Sequence, residues 1–241
     1  MASSNPIVIP EARRTGLRRY NLIAGTFHLV QAIAILVMSN DFALPVNATY
    51  LQDAPHPGAA FETVELFSVP MALAVAAFSL LSAIAHFWIS TIGFDRYLND
   101  LANKRNIARW IEYAVSSTLM IVLIGLLNSV WDFVALLGLA GVNISMILFG
   151  WLQERYEEPG KGSLLPFWFG CIAGIFPWIA LFFLLIAPGS EAEPPGFVYG
   201  IVISLFIFFN SFALVQWLQY KQIGRFKDYL VGERLYITLS F

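Results

Sequence analysis

Residues 109–120 read RWIEYAVSSTLM and carry an acid, Glu112, into an otherwise apolar span. A lone carboxylate in hydrocarbon costs about 3 kcal/mol on insertion scales, so such a residue is normally paired, protonated or turned toward a polar cavity. Ser116 follows one turn on and Met120 two turns on, so at helical spacing all three share one face. The plainer reading is a shallow glutamate that snorkels to the interface about one turn past Arg109. What the neighbouring helices bring to the same depth decides between them.

Working outward, 58% of the 241 residues are hydrophobic and 12% are charged, with a mean hydropathy of +0.69. Soluble domains carry roughly 25% charged residues, so the chain is read as an integral membrane protein whose first partner is the lipid bilayer; nothing points to nucleic acid. The net charge of −2 carries little, because in a membrane protein the location of charges matters more than their sum. The single cysteine, Cys171, lies in an apolar stretch and allows no disulfide framework. Arg13, Arg14, Arg18 and Arg19 ahead of an apolar run resemble the start of a signal peptide. The run 22–38 is long for a signal core, however, and Asn40 and Asp41 stand where small residues would mark cleavage, so it is read as a retained span.

Six apolar windows, 20–38, 69–92, 107–131, 133–152, 164–187 and 197–219, each approach or exceed the roughly 20 residues of a spanning helix. By these windows Glu112 is the only acid inside a membrane-length segment. The third and fourth nearly touch. As one helix, 113–152 would run about 60 Å, twice the hydrocarbon thickness, so a tight turn is expected at 128–132. A seventh segment, 231–241, reaches only about 16 Å by Phe241, half a bilayer, and is read as an incomplete seventh helix. The expected architecture is one all-α transmembrane domain over 1–241, a bundle of seven helices.

All 14 Lys and Arg fall on one side of these spans. By the positive-inside rule the N-terminus is cytoplasmic, and seven spans put the C-terminus outside. The opposite side carries only acids: Asp41, Asp53, Glu62, Glu65, Asp132, Glu191 and Glu193. Its first loop, 39–68, alternates around 42–51 and has a Pro/Gly-rich tip at 54–58, so a small extracellular β-hairpin is expected.

Of the 3 histidines, His28 and His86 lie inside spans. His28 falls about 12 Å and His86 about 9 Å from the cytoplasmic side, in the same half as Glu112. Gln31 is one turn from His28 and Ser82 one turn from His86. A single buried histidine is most often a neutral ring satisfied by a neighbouring hydroxyl; three ionisable groups in one layer point instead to a proton relay, a metal site or a counterion. Two histidines and a carboxylate could hold iron or zinc. Against that, the spacing is not local, His56 lies in an outer loop, and no further acid or cysteine is near.

Aromatic residues are abundant, with 21 Phe, 9 Tyr and 7 Trp. Trp178 falls near mid-membrane beside Pro177, and Phe206 and Phe209 share a face of span six. With Asn143 and Met146 they could line a slot for an apolar ligand, although plain helix packing explains any one of them. Gly170 and Gly174, with Gly138 and Gly141, would let helices approach closely within the bundle or in a dimer.

RWIEYAVSS (109–117), GVNISMILFGWLQE (141–154), LLPFWFGCIAG (164–174), PGFVYG (195–200), FFNSFALVQ (208–216) and GERLYI (232–237) resemble the heliorhodopsins. These are seven-helix, rhodopsin-like retinal proteins with a cytoplasmic N-terminus, inverted relative to ordinary microbial rhodopsins, and the similarity covers essentially the whole chain. The resemblance implies that Glu112 is the counterion of a protonated retinal Schiff base with Ser116 beside it. It places His28, Ser82, His86, Tyr97 and Asn106 in or beside a polar cavity on the cytoplasmic side. By the same correspondence Met120, Asn143, Met146, Trp168, Phe209 and Ser240 would contact all-trans retinal.

The family is further expected to be a plasma-membrane light sensor with a slow photocycle, homodimeric, non-enzymatic and without ion pumping. An unidentified cytoplasmic protein would take the signal. One departure is that the retinal-bearing lysine belongs to the seventh helix, whereas Lys104, Lys161, Lys221 and Lys227 all lie in cytoplasmic loops. The family pattern puts that lysine within one turn after Phe241. Two other readings stand beside this one: a proton channel or transporter using His28, His86 and Glu112, and an intramembrane metal-dependent enzyme. Against a through-pathway, the outer halves of the spans hold no comparable ionisable group.

Overall fold

The structure, a computed structural model, describes residues 6–191 and 194–241, so Glu193 among the outer acids lies outside the described residues. The helices are α1 (Glu11–Val37), α2 (Met71–Ser90), α3 (Phe94–Ala102), α4 (Ile107–Leu127), α5 (Phe133–Tyr156), α6 (Leu165–Ile186), α7 (Gly196–Tyr220) and α8 (Tyr229–Leu239). Two strands, β1 (Ala43–Leu51) and β2 (Phe61–Pro70), join α1 to α2. By length and composition α1, α2, α4, α5, α6 and α7 can each cross a membrane. With α8 opening a seventh, the chain fits a seven-helix bundle.

Several helix ends are set by side chains visible in the sequence. Asn106 caps α4 by accepting from the Arg109 N–H at 3.0 Å, Asp132 caps α5 by accepting from Ala135 at 2.9 Å, and Asp228 caps α8 by accepting from Leu230 at 3.0 Å. Each satisfies a backbone donor that the helix cannot. The cap at Asp132 closes the tight turn after α4, which falls at 128–132 as the length argument requires.

Three elements differ from the sequence reading. First, α1 starts at Glu11, well before the apolar window, because its first turns carry the arginines on solvated faces while Leu17 and Asn21 are buried. Second, the loop after α2 contains α3, an amphipathic helix that buries Tyr97 and Leu101. Third, α5 runs past Leu152 to Tyr156 and buries Glu154, so Glu112 is not the only acid within a spanning helix.

β1 and β2 pair antiparallel from Ala43 opposite Pro70 to Leu51 opposite Phe61, with a bulge between Val46 and Asn47. Val46 packs with Met71, Leu123, Leu126 and Leu136 and closes one end of the bundle. The Asn47 N–H donates to the Trp131 carbonyl at 2.7 Å, which docks the hairpin on the α4–α5 turn. At the opposite end, Ile9, Leu17, Ala24, Ile89, Tyr97, Leu101, Tyr229, Leu230 and Ile237 form a second core that joins α1, α2, α3 and α8. Ile121, Ile124, Trp178 and Leu181 form a third between α4 and α6.

Candidate functional site

Gly25 decides the geometry of the histidines. A Cβ there would sit 3.0 Å from the Phe87 ring and 3.2 Å from the His86 Cβ, so its absence lets α1 lie close against α2. One turn on, His28 meets His86 with ring centroids 5.6 Å apart and planes 11° from parallel. His28 Nδ1 lies 3.1 Å from Gln31 Oε1, while its buried Nε2 has no hydrogen-bond partner. His86 Nδ1 lies 2.8 Å from Asn21 Oδ1 and Nε2 lies 3.2 Å from Ser240 Oγ.

The partners constrain the proton on His86. Asn21 gives its amide nitrogen to the Leu17 carbonyl at 2.9 Å, which turns its oxygen, an acceptor, toward Nδ1. A neutral His86 therefore carries Nδ1–H and accepts from Ser240. The Ser240 hydroxyl is also 2.8 Å from the Ile237 carbonyl and has one proton to give. A charged His86 would release that proton to Ile237, so Ser240 reports the charge of His86 to the end of α8.

Glu112 sits on α4 facing α2, where Ser82 Oγ donates to its Oε1 at 2.8 Å. Ser116, one turn on and buried, is its second hydroxyl partner. A cavity of about 40 Å³ touches Glu112, His86, Asn21, Asn106, Arg109 and Glu233. It is large enough for a water, which needs about 10–15 Å³ by such a measure, and polar enough to bind one. The cavity brings His86, Glu112 and Asn106 together, with Ser82 on Glu112 and His28 on His86, while Tyr97 is not in its lining.

Sequence reasoning missed the charge cluster below that cavity. Arg109 pairs with both Glu154 of α5 and Glu233 of α8, the second at 2.8 Å. All three are buried. Tyr97 donates to Glu233 at 2.9 Å, as does the Asn106 amide at 2.9 Å. The Asn106 backbone N–H, Trp110 and Tyr229 donate to Glu154 at 2.9, 2.6 and 2.9 Å. Arg109 also lies over the Tyr236 ring, 4.0 Å from its centroid. The signal was present in the sequence: Arg109 enters a span, and the strings ending in Glu154 and containing Glu233 each carry one acid into an apolar setting.

A chain of contacts links this cluster to the histidines. Glu233 meets Tyr97 at 2.9 Å, Tyr97 meets the Asn21 amide at 3.5 Å, and Asn21 meets His86 at 2.8 Å. Tyr97 lies on α3, outside the spanning helices. Burial, and then the charge of Glu233, push its phenol well above the ordinary value, so it stays a donor.

The residues expected around an apolar ligand divide. Trp178 packs edge-on to Phe206 and Phe209 at centroid distances of 5.2 and 5.5 Å, with Met120 against the same cluster. Asn143 is buried and donates to Ser117 at 3.0 Å and Thr118 at 2.9 Å, tying α5 to α4. Met146 lies where α6 comes close: a Cβ at Gly170 would be 3.3 Å from the Met146 carbonyl oxygen. Gly138 and Gly141, by contrast, face open space. Ser240 is with the histidines. Trp168 is not brought to this group; it is 52% exposed at the end of the first turn of α6, with its ring against Phe167. Among the described residues no three His, Cys, Asp or Glu side chains are grouped so as to hold a metal ion.

A family model described as Heliorhodopsin matches residues 17–241, and the chain belongs to that family of rhodopsin-type, retinal-binding membrane photoreceptors. Comparison with curated proteins gives no match. The residues present fit retinal in the following sense. One face of α4 runs from the acid Glu112 past Ser116 to Met120, and Met120 opens onto the Trp178, Phe206 and Phe209 cluster. An apolar polyene with a cationic nitrogen at one end asks for that sequence of surfaces. The chain's four lysines all lie in the turns at the end of the bundle opposite the hairpin.

Proposed function

We propose that this heliorhodopsin is a light sensor in which Glu112 balances a protonated retinal Schiff base and the His28, His86 and Asn21 group receives the consequences. The observation that carries the reading is the Glu112 carboxylate, set at 2.8 Å from Ser82 on the apolar side of a polar cavity. All-trans retinal, held as a protonated Schiff base, would supply visible absorption and light-driven isomerisation when bound. The chain's own residues do the rest. Met120, Trp178, Phe206 and Phe209 wall the apolar part, while Ser82 and Ser116 orient the carboxylate. An ionised acid in a low dielectric stabilises a nearby cation and raises its pKa.

The proton economy stays on one side. Among the described residues, the halves of α2, α4, α5, α6 and α7 nearer the hairpin hold no Asp, Glu, His, Lys or Arg, and that half of α1 holds only His28, one turn past the helix midpoint and stacked on His86. This supports a sensor with a slow cycle and no net pumping, because a pump needs a release group on that side. The 14 basic residues, all on one side of the spans, support a cytoplasmic N-terminus with the hairpin outside, and the plasma membrane is proposed as the site. The open Gly138 and Gly141 on α5 support a homodimer. A soluble cytoplasmic partner is proposed as the receiver, with no enzymatic step.

The test is an absorption spectrum of the full-length protein with all-trans retinal, before and after hydroxylamine under illumination. A visible band that bleaches, with no light-driven pH change in sealed vesicles, is expected. A well-folded protein with no band would remove the photoreceptor reading, and a sustained pH change would favour a proton transporter.

A further inference from the structure

At the basic end of the bundle a cavity of about 160 Å³ opens between the N-terminal segment, the turn after α3, the end of α7 and the start of α8. It is lined by Arg13, Lys104, Lys227, Asp228, Gln219 and Gln222, among others. None of these residues belongs to the cavity beside Glu112.

The charges around it do not balance. Arg13 pairs with Asp228. Lys104 lies 3.6 Å from Glu158, but Lys161 claims the same carboxylate at 3.7 Å, so two cations share one anion. Lys227 makes no ion pair among the described residues. The surplus is positive and it surrounds a concavity, where low-dielectric walls focus the field. Amide donors stand beside it. Gln219 is buried and Gln222 is half-buried; each gives one N–H to a backbone carbonyl, at 3.1 and 2.6 Å, and each has a second N–H left.

The backbone adds an independent observation. Lys104 and Gln222 both hold φ of +54°, in the left-handed region. Each sits just past a helix end, where the next residue's N–H closes back on the helix: Arg105 to Asp100 at 2.9 Å, and Ile223 to Leu218 at 3.1 Å. Glycine is the usual residue at such a position. Here two long polar side chains take it, and both line the same cavity.

We propose that this cavity binds a small dianion of the phosphate class. By the measure in which one water needs about 10–15 Å³, the volume holds several waters, enough for one phosphoryl group. Lysine suits a compact phosphate as a point charge, and the arginine and amide hydrogens suit its oxygens. Free phosphate and the phosphomonoester headgroup of an anionic lipid offer the same chemistry, and the cavity lies where either could reach it. It is also joined to the buried charge cluster, since Tyr229 lines it and donates to Glu154 at 2.9 Å.

The experiment is calorimetric titration of the full-length protein, in the dark, with inorganic phosphate in phosphatidylcholine nanodiscs at low ionic strength. Saturable one-to-one binding is expected, weakened about ten-fold or more by Lys227→Ala and retained by Lys227→Arg. Because Lys227 is exposed, neither variant removes a core contact. The titration is then repeated in nanodiscs containing phosphatidic acid. Loss of the phosphate signal there identifies the lipid headgroup as the ligand; an unchanged signal identifies a soluble anion. Absence of saturable binding in phosphatidylcholine, or an affinity unaltered by Lys227→Ala, overturns the proposal. No retinal is needed, so the outcome is independent of the photoreceptor reading.

Discussion

Arg109 donates to Glu233 at 2.8 Å across 124 residues of sequence, tying α4 to α8 inside the bundle. The same guanidinium holds Glu154 of α5. One cation therefore joins three helices and faces two carboxylates. Its removal would leave both acids buried without their cation, which costs about 3–5 kcal/mol for a buried pair. Arg109→Met is expected to lower the thermal midpoint in lipid sharply. A midpoint equal to wild type would mean that the cluster does not hold the helices together.

Tyr97 reaches the same cluster from α3. Its phenol is held above the ordinary value by burial and by Glu233, so it donates throughout the neutral and mildly alkaline range. Tyr97→Phe leaves Glu233 short of one donor and is expected to cost about 1–3 kcal/mol. That loss should be the same at about pH 6 and pH 9, because the phenol does not ionise between them. A loss that shrinks as pH rises would show that Tyr97 ionises in this range.

Asp100, half-buried on α3, is pushed up from 3.8 by burial, with Glu154 adding to the shift and Arg96 and Arg105 opposing it. The native protein then keeps a proton that the unfolded chain has lost, so stability falls as pH rises from 3.8 through the native value. Asp100→Asn removes the ionisation. Thermal midpoints measured across pH should be higher for the variant at neutral pH and should lose that component of the slope. Parallel profiles for the two proteins would refute the assignment.

Two tryptophans on α6 are expected to behave differently. Trp178 is buried among Phe206, Phe209 and Met120, so Trp178→Ala should cost about 3–5 kcal/mol and shift the retinal band. Trp168 is largely exposed, and Trp168→Ala should leave the band where it is. A band shift in the Trp168 variant alone would move the chromophore toward the basic end of α6.

Much of this was legible in the sequence because the signals were local. Apolar windows located the six long helices, the length limit on a single helix placed the turn at 128–132, and the alternation in 42–51 marked β1. His28, His86 and Glu112 could be set at one depth because a helix rises by a fixed step. What depended on pairing between distant segments was not legible. Glu154 lay two residues past the end of an apolar window and reads as a loop acid until the helix is seen to continue. Glu233 reads as the solvated start of a helix until Arg109, Asn106 and Tyr97 are found around it. α3 was hidden because its apolar positions, Phe94, Tyr97 and Leu101, are interleaved with charges over only nine residues. Trp168 was assigned by family correspondence, and only the rotation of α6 shows which way its ring faces.

The most direct test of the central claim is a spectral pH titration of the full-length, retinal-loaded protein against its Glu112→Gln variant. The wild type is expected to keep a visible band at neutral pH and the variant to move to the near ultraviolet, recovering the visible band only on acidification. An unchanged colour and an unchanged titration in the variant would contradict the claim, because the anion beside the Schiff base would then not be Glu112.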